Sequence, residues 1–143
     1  MTIEKKRIIV TGSASGMGEA TLNAYVKAGA HVIGMDVSDE KGIKICDKAN
    51  ENGPGKCSYI HVDVSDKSSV TNSFLKANDI LGGLDTLANP AAIQRSSDAS
   101  DVSVEDWDLM FAVNVKGTML TNQAAYSIMK LNGGGSIINF GSI

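Results

Sequence analysis

The chemistry of this sequence is concentrated in a glycine-rich run, Thr11-Gly12-Ser13-Ala14-Ser15-Gly16-Met17-Gly18, and in Asp36, which follows Gly18 by eighteen residues. The run lies between an apolar β-branched stretch, Ile8-Ile9-Val10, and a segment of helical period. At such a junction, unpaired main-chain amides and the positive end of a helix dipole attract a diphosphate, and glycines let the backbone approach it without a Cβ clash. Gly12, Ser15, Gly16, Met17 and Gly18 are the candidate cradle. The spacing Gly-x-x-x-Gly-x-Gly, with no Lys-Ser or Lys-Thr pair after it, disfavours a nucleoside-triphosphate loop and suits a dinucleotide. Asp36 ends a second β-rich run, where a carboxylate accepts hydrogen bonds from adenosine ribose hydroxyls and repels a 2′-phosphate. Ser13 and Val37 stand where a cation would neutralise that phosphate, so NAD is expected rather than NADP. Taken singly, the loop is also readable as an ordinary tight turn and Asp36 as a solvated turn carboxylate. The strand-loop-helix context separates the two readings.

A chain of 143 residues has room for one domain to position these groups. At 43% hydrophobic and 20% charged residues it has the composition of a packed globular domain rather than a disordered or fibrous chain. Thirteen Lys and Arg against sixteen Asp and Glu give a net charge of -3 without a basic block, so nucleic acid is not expected as a partner. The N-terminal MTIEKKRIIVTG has too short an apolar region for a signal peptide. No window approaches a membrane span, and a cytoplasmic location is expected. Cys46 and Cys57 form no C-x-x-C pair, and no His stands at ligand spacing from either. They read as reduced thiols, and no metal site is expected.

Short β-branched runs alternate with helical segments, the pattern of repeated βαβ units and of a parallel sheet covered on both faces. Strands are expected at residues 7–11, 31–37, 58–62, 85–89 and 136–140, and helices at 16–28, 39–50, 66–80 and 120–131. Ser65 is the expected cap of the third helix. Ala20, Ala24 and Ala28 form a small-residue stripe that would lie against the sheet, with Gly29 in the left-handed position after the helix. Ser103 and Asp106 open a further helix, in which Trp107, Met110 and Phe111 read as core. His31 and His61, in strand segments, read as packed or edge residues rather than bases.

With these elements in order, the sequence resembles the short-chain dehydrogenase/reductases from Arg7 to Ile143. Thr11 to Gly18 resembles the family's cofactor loop, and Asp63-Val64 the acidic pair that contacts adenine. Asn114, in Asn-Val-x-Gly, resembles its helix asparagine, and Ser136-Ile-Ile-Asn-Phe-Gly-Ser142 the strand leading to its catalytic serine. The resemblance implies an α/β, Rossmann-like, doubly wound parallel sheet in three αβα layers. It also implies hydride transfer between NAD(H) and a small-molecule alcohol or ketone, and assembly as a homodimer or homotetramer through the helices around Trp107 and Tyr126. Ser142 and Asn114 are the implied catalytic residues: the serine would hold the substrate oxygen and the asparagine would anchor a relay water. Asn89 and Ala91 join the cofactor-binding set.

Two departures matter. Leu87-Ala-Asn-Pro90-Ala91-Ala92 replaces the family's Asn-Asn-Ala-Gly segment, and Pro90 removes an amide near the end of the fourth strand, where weaker pairing is expected. The family's Tyr-x-x-x-Lys, which follows the serine, has no counterpart after Ser142. The pattern Tyr126 to Lys130 precedes the serine and reads as a surface or interface tyrosine. The expectation is therefore a fragment of a longer polypeptide whose sheet stops after the fifth strand and leaves it as an edge. The alternative is a catalytically inactive dinucleotide-binding module.

Overall fold

The computed structural model of this chain describes residues 3–95, 98 and 100–141. Five parallel strands, β1 (Arg7–Thr11), β2 (His31–Asp36), β3 (Lys56–His61), β4 (Thr86–Asn89) and β5 (Ser136–Asn139), form one sheet in the order β3-β2-β1-β4-β5. Helices α1 (Gly16–Lys27), α2 (Asp39–Asn52) and α3 (Lys67–Leu81) follow the first three strands, and α4 (Val104–Met110) and α5 (Thr118–Leu131) follow β4. This is the doubly wound, three-layer α/β arrangement expected from the alternation of elements.

Helices cover both faces of the central strands, which is why β1 and β2 are nearly continuous apolar runs. Ile8, Val10, Val32, Cys57 and Ala88 point to one face and pack with Leu22 and Val26 of α1 and Cys46 and Ala49 of α2. Their neighbours Ile9, Ile33, Met35, Ile60, Val62 and Leu87 point to the other face, against Phe74 and Ala77 of α3 and Leu120, Ala125 and Met129 of α5. The two-residue alternation of side chains along a strand thus splits the core into two layers.

Several local readings are corrected. The face of α1 turned to the sheet is Gly18, Leu22 and Val26, whereas Ala20, Ala24 and Ala28 are exposed. Both sets recur every four residues, and the larger apolar side chains gain more by leaving water. Gly29 does adopt the left-handed conformation, with φ +88°. Asp66 rather than Ser65 caps α3, accepting a hydrogen bond from the Ser69 amide at 2.6 Å. Trp107 and Phe111 are about half exposed rather than core, with rings stacked on each other at 4.7 Å, and Met110 is partly buried. No residue of α4 is buried. The two expected helices in this region form one helical path: a π-helical stretch, Phe111–Gly117, joins α4 to α5.

The fourth strand stops at Asn89, so the amide missing from Pro90 falls just outside a ladder that pairs β4 with β5 as far as Asn89 and Asn139. β5 has no strand on its far side among the described residues, and Ile138 and Phe140 are substantially exposed.

At the opposite end of the sheet, Arg7 and Asp85 fasten β1 to β4. The guanidinium donates Nε to Asp85 Oδ2 at 3.0 Å and Nη2 to Oδ1 at 2.8 Å, and the Arg7 amide donates to Oδ2 at 2.9 Å. These bonds hold the Asp85 carboxyl at about 2, below its usual 3.8, with the Arg7 side chain as the main cause. A carboxyl depressed in the folded state stabilises the fold above its unfolded pKa and loses that contribution as pH falls through its folded value. We therefore expect acid titration to show a loss of stability between about pH 4 and about pH 2 that is reduced in Asp85→Asn. At neutral pH that variant should unfold with about 2 kcal/mol less stability in urea, and an unchanged midpoint would refute the assignment.

Candidate active site

The strand order reverses between β1 and β4: the chain after β1 runs toward β2 and β3, and the chain after β4 runs toward β5. In an open parallel sheet this reversal leaves a crevice at the carboxyl ends of the two strands. A cleft of about 290 Å³ lies there, lined by Gly12, Ser15 and Gly18 from the loop after β1, Asp36 and Val37 after β2, and Val62, Asp63 and Val64 after β3. Pro90 to Ile93 and Val113 form its remaining wall.

The loop is shaped for close approach. Gly12 has φ +59°, a conformation that favours glycine, and a Cβ there would lie 2.8 Å from the Ala91 Cα. A Cβ on Gly18 would collide with the Gly12 carbonyl, so the first turn of α1 folds directly onto the loop. Ser15 is the N-cap residue but makes no side-chain cap. Its hydroxyl and the first amides of α1, which have no intrahelical acceptors, are available to an anionic group. Gly16, with φ +51°, and Met17, largely exposed, lie on the outer side of this turn and do not line the cleft.

Asp36 is fixed by main-chain donors: the Ala14 amide donates to Oδ2 and the Ser38 amide to Oδ1, each at 3.0 Å. The Ser13 amide bonds to the Met35 carbonyl at 3.2 Å, so the glycine loop is tied to the end of β2. Each carboxylate oxygen retains a further lone pair, and the arrangement suits a vicinal diol. Asp63 Oδ1 accepts from the amide and hydroxyl of Ser65 at 2.9 and 2.6 Å, while Oδ2 has no partner among the described residues. Val37, Val62 and Val64 make the adjoining surface apolar, and none of the described residues lining the cleft is a lysine or arginine.

Asn89 and Asn114 are also placed differently from expectation. Asn89 is buried beneath the cleft rather than in its lining. Its Oδ1 accepts from Thr11 Oγ1 at 2.6 Å, and its Nδ2 donates to Thr121 Oγ1 at 2.9 Å and to Asn139 Oδ1 at 3.2 Å. Thr11 Oγ1 in turn accepts from the Ala91 amide at 3.3 Å. One asparagine thereby links β1, β4, β5 and α5. Asn114, within the π-helical stretch, holds both main-chain groups of Ile93: Oδ1 accepts from the Ile93 amide at 2.9 Å and Nδ2 donates to its carbonyl at 2.8 Å. Such stretches recur at functional sites. Ser142 lies outside the described residues. Tyr126 is 60% exposed on α5 and does not line the cleft.

Thr121, Ile93 and Val113 were not singled out in the sequence, and Thr11 entered only as the first residue of the glycine-rich run, with no role of its own. Thr11, the last strand residue before the glycine loop, carried the one available signal, a hydroxyl ending an otherwise apolar strand. The others owe their place to contacts between segments distant in sequence.

This geometry is matched by kinship. The chain belongs to the short chain dehydrogenase family, whose model matches residues 6–143. It is 36% identical over 143 residues to a sorbitol dehydrogenase of Cereibacter sphaeroides, covering 99% of this chain and 54% of that protein. It is 33% identical to the (2S)-[(R)-hydroxy(phenyl)methyl]succinyl-CoA dehydrogenase subunit BbsD of Thauera aromatica, covering 99% of this chain and 57% of the relative. A short-chain type dehydrogenase/reductase from Mycobacterium marinum superposes with a TM-score of 0.91 at 29% identity, over 96% of this chain and 56% of that one. The one from Mycobacterium ulcerans, at 24% identity and a TM-score of 0.95 over all of this chain and 53% of its own, shares the fold. The chain thus spans about half the length of the relatives it matches. No helix among the described residues is long and apolar enough to cross a membrane, and no described cluster of His, Cys, Asp and Glu has the makings of a metal site.

The network under the cleft is testable without any ligand. Thr11→Val keeps the shape of the side chain but leaves buried Asn89 Oδ1 without its donor and the Ala91 amide without its acceptor. Urea unfolding should show a loss of about 1–3 kcal/mol with an unchanged m-value, and a loss indistinguishable from zero would remove the network from its structural role.

Proposed function

We propose that this chain forms the NAD-binding part of an oxidoreductase that interconverts an alcohol and a ketone. The observation that carries the reading is the Asp36 carboxylate, held by two main-chain amides at the rim of a cleft whose floor is the glycine loop at the start of α1. In this reading the diphosphate lies against the free amides of the α1 N-terminus with Gly12, Ser15, Gly16, Met17 and Gly18 around it. Asp36 takes the ribose hydroxyls and Asp63 Oδ2 the adenine amino group, with Val64 beside the ring. Asn89 and Ala91 support the wall toward the nicotinamide end.

The preference for NAD over NADP rests on charge. A 2′-phosphate would meet a fixed carboxylate with no cation among the described lining residues to offset it, and burying that repulsion is costly. The dinucleotide supplies the hydride chemistry when bound, and the protein supplies position and electrostatics. At the reacting end we assign Ser142 to hold the substrate oxygen and Asn114 to shape the wall through its grip on Ile93. The two named relatives are dehydrogenases whose names contain hydroxylated molecules, which supports an alcohol or ketone as the substrate class.

The same reading includes a cytoplasmic location and assembly as a homodimer or homotetramer. Exposed Trp107, Phe111, Val115 and Met119 recur every four residues along the continuous helix, a face suited to a second copy of the chain.

Titration with NADH and NADPH, followed by calorimetry, tests the cofactor assignment. NADH should bind more tightly, and Asp36→Ala should shrink the ratio of the two affinities by about 10- to 100-fold, the worth of charge-assisted hydrogen bonds gained by one ligand and repulsion felt by the other. An unaltered ratio would overturn the role of Asp36. Absence of binding by either nucleotide, in a chain shown to be folded by circular dichroism, would overturn the whole reading.

A further inference from the structure

Two buried thiols take no part in the cofactor site. Cys46 on α2 and Cys57 on β3 are 3% and 7% exposed, and Cys57 Sγ donates to Cys46 Sγ at 2.8 Å. Their separation of eleven residues in the sequence gave no sign of this meeting. It follows from the way α2 turns back over the edge strand it precedes.

A second contact fixes the geometry. Asn50, one helical turn beyond Cys46, binds both main-chain groups of Cys57: its Oδ1 accepts from the Cys57 amide at 2.7 Å and its Nδ2 donates to the Cys57 carbonyl at 3.0 Å. These bonds set the register of α2 against β3, and the two sulfurs are therefore held together rather than meeting by chance fluctuation. Closing them to a covalent bond of about 2.05 Å requires a movement of less than about 1 Å.

We propose that Cys46 and Cys57 are a redox couple, which an oxidant of the small-disulfide class converts to an intramolecular disulfide fastening α2 to β3. Two S–H bonds break and one S–S bond forms. The two electrons reduce one molecule of oxidised glutathione to two thiols, which take up the two protons. Either sulfur, once exposed, attacks as its thiolate and gives a mixed disulfide with release of one glutathione, and the other sulfur, held alongside, resolves it by displacing the second glutathione. Local opening of α2, which packs over an edge strand of the sheet, admits the oxidant. In a strongly reducing compartment the pair rests as two thiols, and it closes when the glutathione poise rises.

The test uses the whole chain, equilibrated in native buffer across graded ratios of reduced to oxidised glutathione, quenched with acid, alkylated and digested for mass spectrometry. The expected product has lost two hydrogens, carries no glutathione, and yields a peptide pair joined through Cys46 and Cys57. Because the fold pre-positions the sulfurs, the native chain should oxidise at a glutathione ratio at least about 10-fold more reducing than the same chain in urea, and the oxidised form should melt at a higher temperature than the reduced one. Glutathione adducts or intermolecular links as the end product would overturn the proposal. So would a native chain no easier to oxidise than the unfolded one. Neither result depends on whether NADH binds.

Discussion

The reversal of strand order between β1 and β4 is the constraint from which the rest of this structure follows. Right-handed crossovers place α1 and α2 on one face of the sheet and α3 and α5 on the other. At the boundary between the two directions, no connection passes over the carboxyl ends of the central strands, and a crevice opens there. Into it the loop after β1 presents the start of a helix, and the ends of β2 and β3 present Asp36 and Asp63. Every candidate binding group in the cleft therefore sits at a strand end, in the turn that follows one or in the first turn of α1.

A reversal leaves the two halves of the sheet in need of a tie, and it is made differently at the two ends of the strands. At the amino ends an ion pair between Arg7 and Asp85 spans β1 and β4 near the surface. At the carboxyl ends, under the cleft, the tie is a network in which buried Asn89 joins buried Thr11 and Thr121 and reaches the more exposed Asn139. The asymmetry has a physical basis. A buried neutral network keeps its geometry without the cost of desolvating charge, whereas a partly exposed pair remains solvated enough to tolerate ionisation. The result is a firm floor beneath a loop whose own residues are mostly small. Asn114 performs a similar service at the side wall, holding the Ile93 backbone from within a π-helical stretch.

Much of this was legible beforehand. The five strands, the helices and their parallel arrangement were readable to within a few residues, because β-branched runs, capping residues and glycines at turns are local signals. Ser103 caps α4 as its spacing with Asp106 suggested. What misled was local information that points two ways. Ala20, Ala24 and Ala28 share their periodicity with Gly18, Leu22 and Val26, and only the arrival of the sheet selects between the faces. Trp107 and Phe111 have the apolar character of core residues, yet they stack on each other and stay about half exposed. Within the site, Asn89 was identified as important, but its position beneath the cleft depends on partners drawn from three other elements.

The sequence by itself determined the alternation of strands and helices, the glycine loop at the first strand-helix junction and the carboxylate at the end of the second strand. Each is encoded by residues adjacent in the chain, whose sterics and hydrogen-bonding needs act locally. Tertiary structure alone decided which side chains face one another: Asn89 with Thr121, Asn114 with Ile93, Cys46 with Cys57. Those pairings depend on how helices settle across a twisted sheet, an outcome of packing summed over the whole core, and no single stretch of chain carries it.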